Sequence, residues 1–216
     1  MSKSSIIQAL ISQGAIAVIR MSDTQKLKKV IEAIHKGGVS AIEITMTTPN
    51  ALRVIEETAN SMGDVAQVGV GSVLDPETAR LAINAGATFV VSPIFKSEII
   101  YTAHRYDLPG IVGAFTPTEI LTAHEHGSDM VKVFPADILG MAFFKAIKAP
   151  MPHLQLMPTG GVSLTNAGDW IKAGACAVAV GTALLDKKAI AEEDYPKLTE
   201  NARTLCQSIT QGRESV

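Results

Sequence analysis

The chain has 216 residues, 47% of them hydrophobic, a size and apolar content that suit one globular domain spanning 1–216. Its formal charge of -2, from 19 basic and 21 acidic residues, leaves no basic stripe, and aromatic residues make up only 5%, so nucleic acids and anionic membrane surfaces are not expected partners. No apolar run reaches the roughly 18–20 residues of a membrane span, the opening segment lacks a signal-peptide core, and the two cysteines, Cys176 and Cys206, fit a reducing cytoplasm without disulfides.

Taken in order, short apolar strands alternate with helical stretches at a spacing of roughly 20–26 residues. A helix around Ser5 to Ser12 comes before the first strand, Ala15–Arg20. Asp23 then caps a helix with an apolar stripe of Leu27, Val30, Ile31 and Ile34, ended by Gly37-Gly38. The second strand is Ala41–Met46, and Thr48-Pro49 is expected to open its helix as cap and first residue. The third, Ala66–Val73, leads into Asp75-Pro76-Glu77; the fourth is Thr88–Pro93. The fifth, Gly110–Phe115, precedes Thr116-Pro117-Thr118-Glu119, a capping box with proline at its first helical position. Met130–Pro135, Leu154–Pro158 and Cys176–Gly181 complete the strands, and a helix closes the chain after Ile190. Eight βα units predict an α/β fold of one kind, a (β/α)8 TIM barrel with an extra N-terminal helix. An open doubly wound sheet usually has fewer strands and often a glycine-rich first turn, which Arg20-Met21-Ser22-Asp23 is not.

Barrel chemistry sits at the carboxyl ends of the strands. Lys132 lies in an otherwise apolar strand and shares a face with Met130 and Phe134. Burial disfavours an ammonium, so a lysine held there suits the free amine that a Schiff-base nucleophile needs. It could instead snorkel to water or pair structurally with a carboxylate. Glu43 alternates with Ile42 and Ile44, which should pack outward on helices and turn the carboxylate inward. Facing Lys132, it would form either a structural ion pair or an acid/base–nucleophile pair. Arg20 ends the first strand as a candidate carboxylate clamp or a surface arginine. Thr47, Ser72 and Pro93 stand at the ends of strands two to four. Thr159-Gly160-Gly161 and Gly181-Thr182 follow strands seven and eight, where barrels often bind phosphate through backbone N–H groups; either would also suit a tight turn. His35 and His104 read as helical surface positions, and the i,i+2 spacing of His124 and His126 does not make a metal site. Phe95 and Phe134 are more often core residues than substrate platforms, but Phe134 shares the face of Lys132 and is a candidate substrate contact with Pro93.

Several stretches together resemble the bifunctional KDPG/KHG aldolases. They include Ile42-Glu43-Ile44-Thr45, Gly69-Val70-Gly71-Ser72-Val73-Leu74, Lys132-Val133-Phe134-Pro135-Ala136 and Pro158-Thr159-Gly160-Gly161-Val162. The substrates of this family are 2-keto-3-deoxy-6-phosphogluconate (KDPG) and 4-hydroxy-2-oxoglutarate (KHG), and the first belongs to the Entner–Doudoroff pathway. The resemblance runs from about Ile16 to Leu185. It implies a cytoplasmic class I aldolase, a homotrimer that needs no metal or organic cofactor, acting on pyruvate and an aldehyde or aldehyde phosphate. Lys132 matches the Schiff-base lysine and Glu43 the proton-transferring glutamate. Ser72 stands where threonine is usual. Thr47 stands where some members carry the arginine that binds the pyruvate carboxylate, so Arg20 would have to supply that cation. Thr159, Gly160, Gly161, Gly181 and Thr182 match the phosphate-binding region. Two other functions suit the same residues: an isomerase or epimerase with Lys132 as a cation, and a non-catalytic sugar-phosphate-binding barrel.

Overall fold

The computed structural model describes residues 1–215. Eight parallel strands form one sheet: β1 (Ala15–Ile19), β2 (Ala41–Thr45), β3 (Gln67–Gly71), β4 (Val90–Val91), β5 (Gly110–Ala114), β6 (Met130–Val133), β7 (Leu156–Pro158) and β8 (Val178–Val180). Each strand pairs with the next, and β8 returns to β1 through Ala15↔Val178, Ile16↔Ala179 and Ala17↔Val180. Bridges Leu156↔Ala175 and Thr159↔Ala179 join the remaining edge, so the sheet closes into the expected barrel.

Helices α1 (Lys3–Gln13), α2 (Thr24–Lys36), α3 (Ala51–Met62), α4 (Pro76–Asn84), α5 (Ser97–Arg105), α6 (Pro117–Glu125), α7 (Ala136–Lys148), α8 (Ala167–Lys172), α9 (Lys187–Ala191) and α10 (Tyr195–Glu214) accompany the strands. Three of the predicted caps form. Asp23 accepts from Lys26 N at 3.0 Å and Asp75 from Thr78 N at 2.6 Å, while Thr116 and Glu119 make the reciprocal capping box.

Thr48-Pro49 does not open α3. Thr48 N instead donates to Thr45 O at 2.9 Å, closing a turn directly after β2, and the side chain is buried. The N-cap is Asn50, in the left-handed region at φ 55, a conformation asparagine tolerates better than most residues. The fourth strand is shorter than Thr88–Pro93 because Pro93 brings no N–H to the ladder and the Ser92 hydroxyl accepts from Ile94 N at 3.2 Å, bending the chain away. His104 is not a free surface residue either. Its Nε2 lies 2.8 Å from Asp129 Oδ2, which also accepts from Gly110 N, and Lys3 pairs with Asp129 at 3.1 Å. The short α9 was not expected from the sequence.

Apolar side chains divide into two layers that explain the strand patterns. Ile42, Ile44, Val131 and Val133 face outward into the helix-covered core. Ile16, Ala41, Phe89, Val91, Ile111, Met130 and Met157 fill the barrel interior, and Ile6 and Leu10 of α1 join them. Strict alternation then sends Glu43, Thr45 and Lys132 inward.

Candidate active site

Glu43 and Lys132 reach the barrel interior from strands on opposite sides. Glu43 is 1% and Lys132 5% exposed, and Lys132 Nζ lies 3.6 Å from Glu43 Oε1. Among the described residues Glu43 Oε2 has no hydrogen-bond partner, although it is buried. A carboxylate in that state has unused acceptor capacity beside an amine, an arrangement that can pass a proton to or from a third group.

Two glycines make room around this pair. Gly71 follows Glu43 in the neighbouring strand, through the register Glu43↔Gly69 and Thr45↔Gly71, and a Cβ on it would overlap the Glu43 carboxylate. Gly113 pairs with Lys132, and a Cβ there would overlap the Pro93 carbonyl. Pro93, two residues past β4, can therefore cross close over β5, and Pro93, Phe134, Phe115 and Ile138 line a cavity of about 600 Å³. Phe134 is 39% exposed and its ring centroid lies 5.5 Å from Lys132 Nζ. It stands beside the lysine at the rim, being the first residue beyond β6 and partly exposed, and not in the core; Phe95 is partly buried against the outer core.

Ser72 caps the end of β3 at φ 60 and is half-buried. Thr47 is exposed, and its hydroxyl lies 2.8 Å from that of Thr45, a residue 1% exposed on the Glu43 face. Arg20 is one residue past the Ile19↔Ile44 pair, which sets it beside Thr45 at the rim. It lines a second cavity of about 420 Å³ with Gly181, Thr182 and Lys187. Lys187 was not singled out from the sequence; the available sign was a cation placed shortly after the Gly181-Thr182 turn.

Thr159 is held by Thr159 N donating to Val133 O and Ala136 N donating to Thr159 O, and its buried Oγ1 has no partner among the described residues. Gly160 and Gly161 adopt φ 98 and 70. A Cβ on either would crowd Asp137, at 2.9 Å from Oδ1 and 2.7 Å from Cβ respectively. The Gly-Gly pair therefore has a packing reason independent of any ligand. Cys176 is no nucleophile here: burial pushes its thiol up to about 12. Among the described residues no three His, Cys, Asp or Glu side chains converge as metal ligands, and no helix is long and apolar enough to cross a membrane.

The chain has counterparts among known proteins. The family model for KDPG and KHG aldolase matches residues 6–201. The 2-dehydro-3-deoxy-phosphogluconate aldolase of Pseudomonas aeruginosa is 31% identical over 199 residues, covering 92% of this chain and 90% of its own. The 2-dehydro-3-deoxy-6-phosphogalactonate aldolase of Escherichia coli is 32% identical over 170 residues, 78% of this chain and 83% of its own. In structure, the KDPG aldolase of Legionella pneumophila, solved with pyruvate captured as a covalent carbinolamine, superposes with a TM-score of 0.85 at 26% identity, covering 92% of this chain and 97% of its own. With a family model spanning nearly its whole length and a relative above 30% identity, this chain belongs to the KDPG and KHG aldolase family.

Proposed function

We propose that this protein is a class I aldolase that reversibly cleaves KDPG to pyruvate and glyceraldehyde 3-phosphate, KHG to pyruvate and glyoxylate, or both. The observation that carries the reading is the buried pair of Lys132 Nζ and Glu43 Oε1 at 3.6 Å. The unprotonated amine of Lys132 adds to the C2 ketone, and loss of water gives an iminium. Glu43, directly or through a water, takes the proton of the C4 hydroxyl. The C3–C4 bond breaks, its electron pair flows into the iminium to form an enamine, and the aldehyde departs. Glu43 returns the proton to C3, and water releases pyruvate from Lys132.

Around this pair we assign the substrate contacts by matching position. Arg20 takes the keto-acid carboxylate, with the hydroxyls of Thr47 and Ser72 beside it. Pro93 and Phe134 cover the reacting carbons. Thr159, Gly160, Gly161, Gly181 and Thr182 face the aldehyde half. The family resemblance further supports a cytoplasmic homotrimer, for which light scattering should give three times the 22.8 kDa chain mass.

The deciding experiment is pyruvate plus borohydride followed by peptide mapping. The mass increase is expected on Lys132, and its absence under conditions where pyruvate binds would leave an isomerase or a binding protein as the better reading. Glu43→Gln should keep the fold and the adduct site but lower turnover by roughly 10²–10⁴-fold. Near-normal turnover would remove Glu43 from the proton transfers.

A further inference from the structure

We propose that Thr45 is a positioning residue for the keto-acid half of the substrate. Buried on β2, it donates its hydroxyl hydrogen to Thr47 and so leaves the Thr47 hydroxyl free to donate to the carboxylate. This rests on the aldolase reading above, which sets Thr47 beside that carboxylate, and adds to it a residue that acts without touching the substrate.

Thr45 is the next inward-facing residue after Glu43 on β2, roughly 6.6 Å nearer the carboxyl end of the strand. On the other side of the Glu43–Lys132 pair, Ala41, Met130, Ile16, Ile111 and Met157 fill the barrel. A keto acid joined to Lys132 therefore has only the mouth side to occupy, at the level of Thr45. Glu43 meets it with a buried, unpartnered Oε2, whereas the Thr45 hydroxyl is already engaged. It lies 2.8 Å from the hydroxyl of Thr47, which is exposed, and among the described residues neither hydroxyl has another hydrogen-bond partner. Gly71, paired with Thr45 on β3, brings no side chain that could compete for the bond.

Each hydroxyl carries one hydrogen, so the direction of the bond decides what Thr47 can do. If Thr47 donated to Thr45, it would turn only lone pairs outward and repel a carboxylate. If Thr45 donates, Thr47 keeps its hydrogen for the ligand, and the two bonds in line strengthen each other. The main chain at this corner is fixed independently. Met46 N donates to Gly71 O at 2.8 Å and Thr48 N to Thr45 O at 2.9 Å, and Thr48 is buried. What remains free is rotation of the Thr47 side chain among its staggered positions, and the Thr45 hydroxyl holds it in one. Arg20, set beside Thr45 by the register of β1 on β2, supplies the charge.

The test is pyruvate binding by calorimetry, with kinetics in the direction of aldol formation, for the wild type, Thr45→Val, Thr45→Ser, Thr47→Val and the Thr45→Val/Thr47→Val double variant. Thr45→Val keeps the shape of the side chain and removes the hydroxyl. It should raise the Kd and KM of pyruvate about threefold to tenfold, the net effect of one hydrogen bond, and leave kcat and the KM of the aldehyde near their wild-type values. Thr45→Ser should restore most of the loss, which a merely structural role of the branched side chain would not. Because Thr45 acts through Thr47, the double variant should bind pyruvate no more weakly than Thr47→Val alone. Thr45→Ala gives the same readings where the valine variant does not fold. Losses that add in the double variant, a wild-type Kd in Thr45→Val, or a loss shared equally by the aldehyde would each overturn the assignment. Borohydride trapping keeps it apart from the parent reading. A wild type that binds pyruvate without an adduct on Lys132, its binding still weakened by Thr45→Val, would sink the aldolase reading and support the hydroxyl pair. An adduct on Lys132 with pyruvate binding unchanged by Thr45→Val would sink the pair and leave the aldolase reading standing.

Discussion

At the scale of single residues, the site depends as much on what is missing as on what is present. Lys132 and Glu43 are the residues we propose for the chemistry, and Gly71 and Gly113 supply space around them, one for the Glu43 carboxylate and the other for the Pro93 carbonyl. Gly71→Ala is expected to leave a folded protein whose Glu43 side chain is displaced. A misplacement of about 1 Å costs on the order of 100-fold in turnover. The measurement is kcat together with the borohydride adduct: Lys132 should still be labelled while turnover falls. A variant with wild-type kcat would mean that the carboxylate tolerates the move.

At the scale of elements, capping side chains set where the helices begin, and hence where each strand-end loop points. Asp75 starts α4 just after Ser72, and its carboxyl is held below the usual carboxylate range, first by the Thr78 backbone N–H and then by the Thr78 hydroxyl. A depressed folded value means that this contribution is complete above the ordinary carboxylate pKa of about 4 and is lost as the pH falls through the folded value. Asp75→Ala should therefore cost about 1 kcal/mol at pH 7. Asp75→Asn keeps an acceptor but cannot titrate, so its deficit against the wild type should narrow in acid. Urea midpoints at pH 7 and pH 3 check this; a gap that widens in acid would contradict the sign. The Glu119 carboxyl is likewise held low, chiefly by the Phe115 and Thr116 N–H groups, so the α6 cap weakens in the same direction.

At the scale of the whole molecule, the barrel has a working end and a sealed end. The candidate site lies at the carboxyl ends of the strands, while α1 covers the opposite side, contributing Ile6 and Leu10 to the interior layer. The pair Lys3–Asp129 ties that helix to the segment before β6. Leu10 is fully buried, so Leu10→Ala should cost roughly 2–5 kcal/mol through lost burial and the cavity left behind. Because the interior layer separates Leu10 from Lys132, adduct formation below the melting temperature should persist. Thermal unfolding and borohydride trapping on the same variant test both halves, and a loss of adduct without a loss of stability would show that the two ends are coupled.

The sequence by itself determined the βα repeat, and with it the barrel, because period-two and period-3.6 patterns are local properties of the chain. It also determined that Glu43 and Lys132 point inward, since each stands between large apolar residues that must face the helices. It misplaced the start of α3, because Thr48-Pro49 has good cap chemistry and only the turn formed by Thr48 N and Thr45 O shows that Thr48 is already used. It left Phe134 between a core role and a substrate contact on the face of Lys132, because composition cannot tell a core aromatic from one left above the last strand residue. Only the tertiary structure decided the distances and the neighbours. The 3.6 Å between residues 43 and 132, the crowding of Gly160-Gly161 by Asp137, and the meeting of Arg20 with Lys187 on one wall all join segments far apart in the chain. Such contacts are fixed by barrel closure and register, which local pattern does not encode.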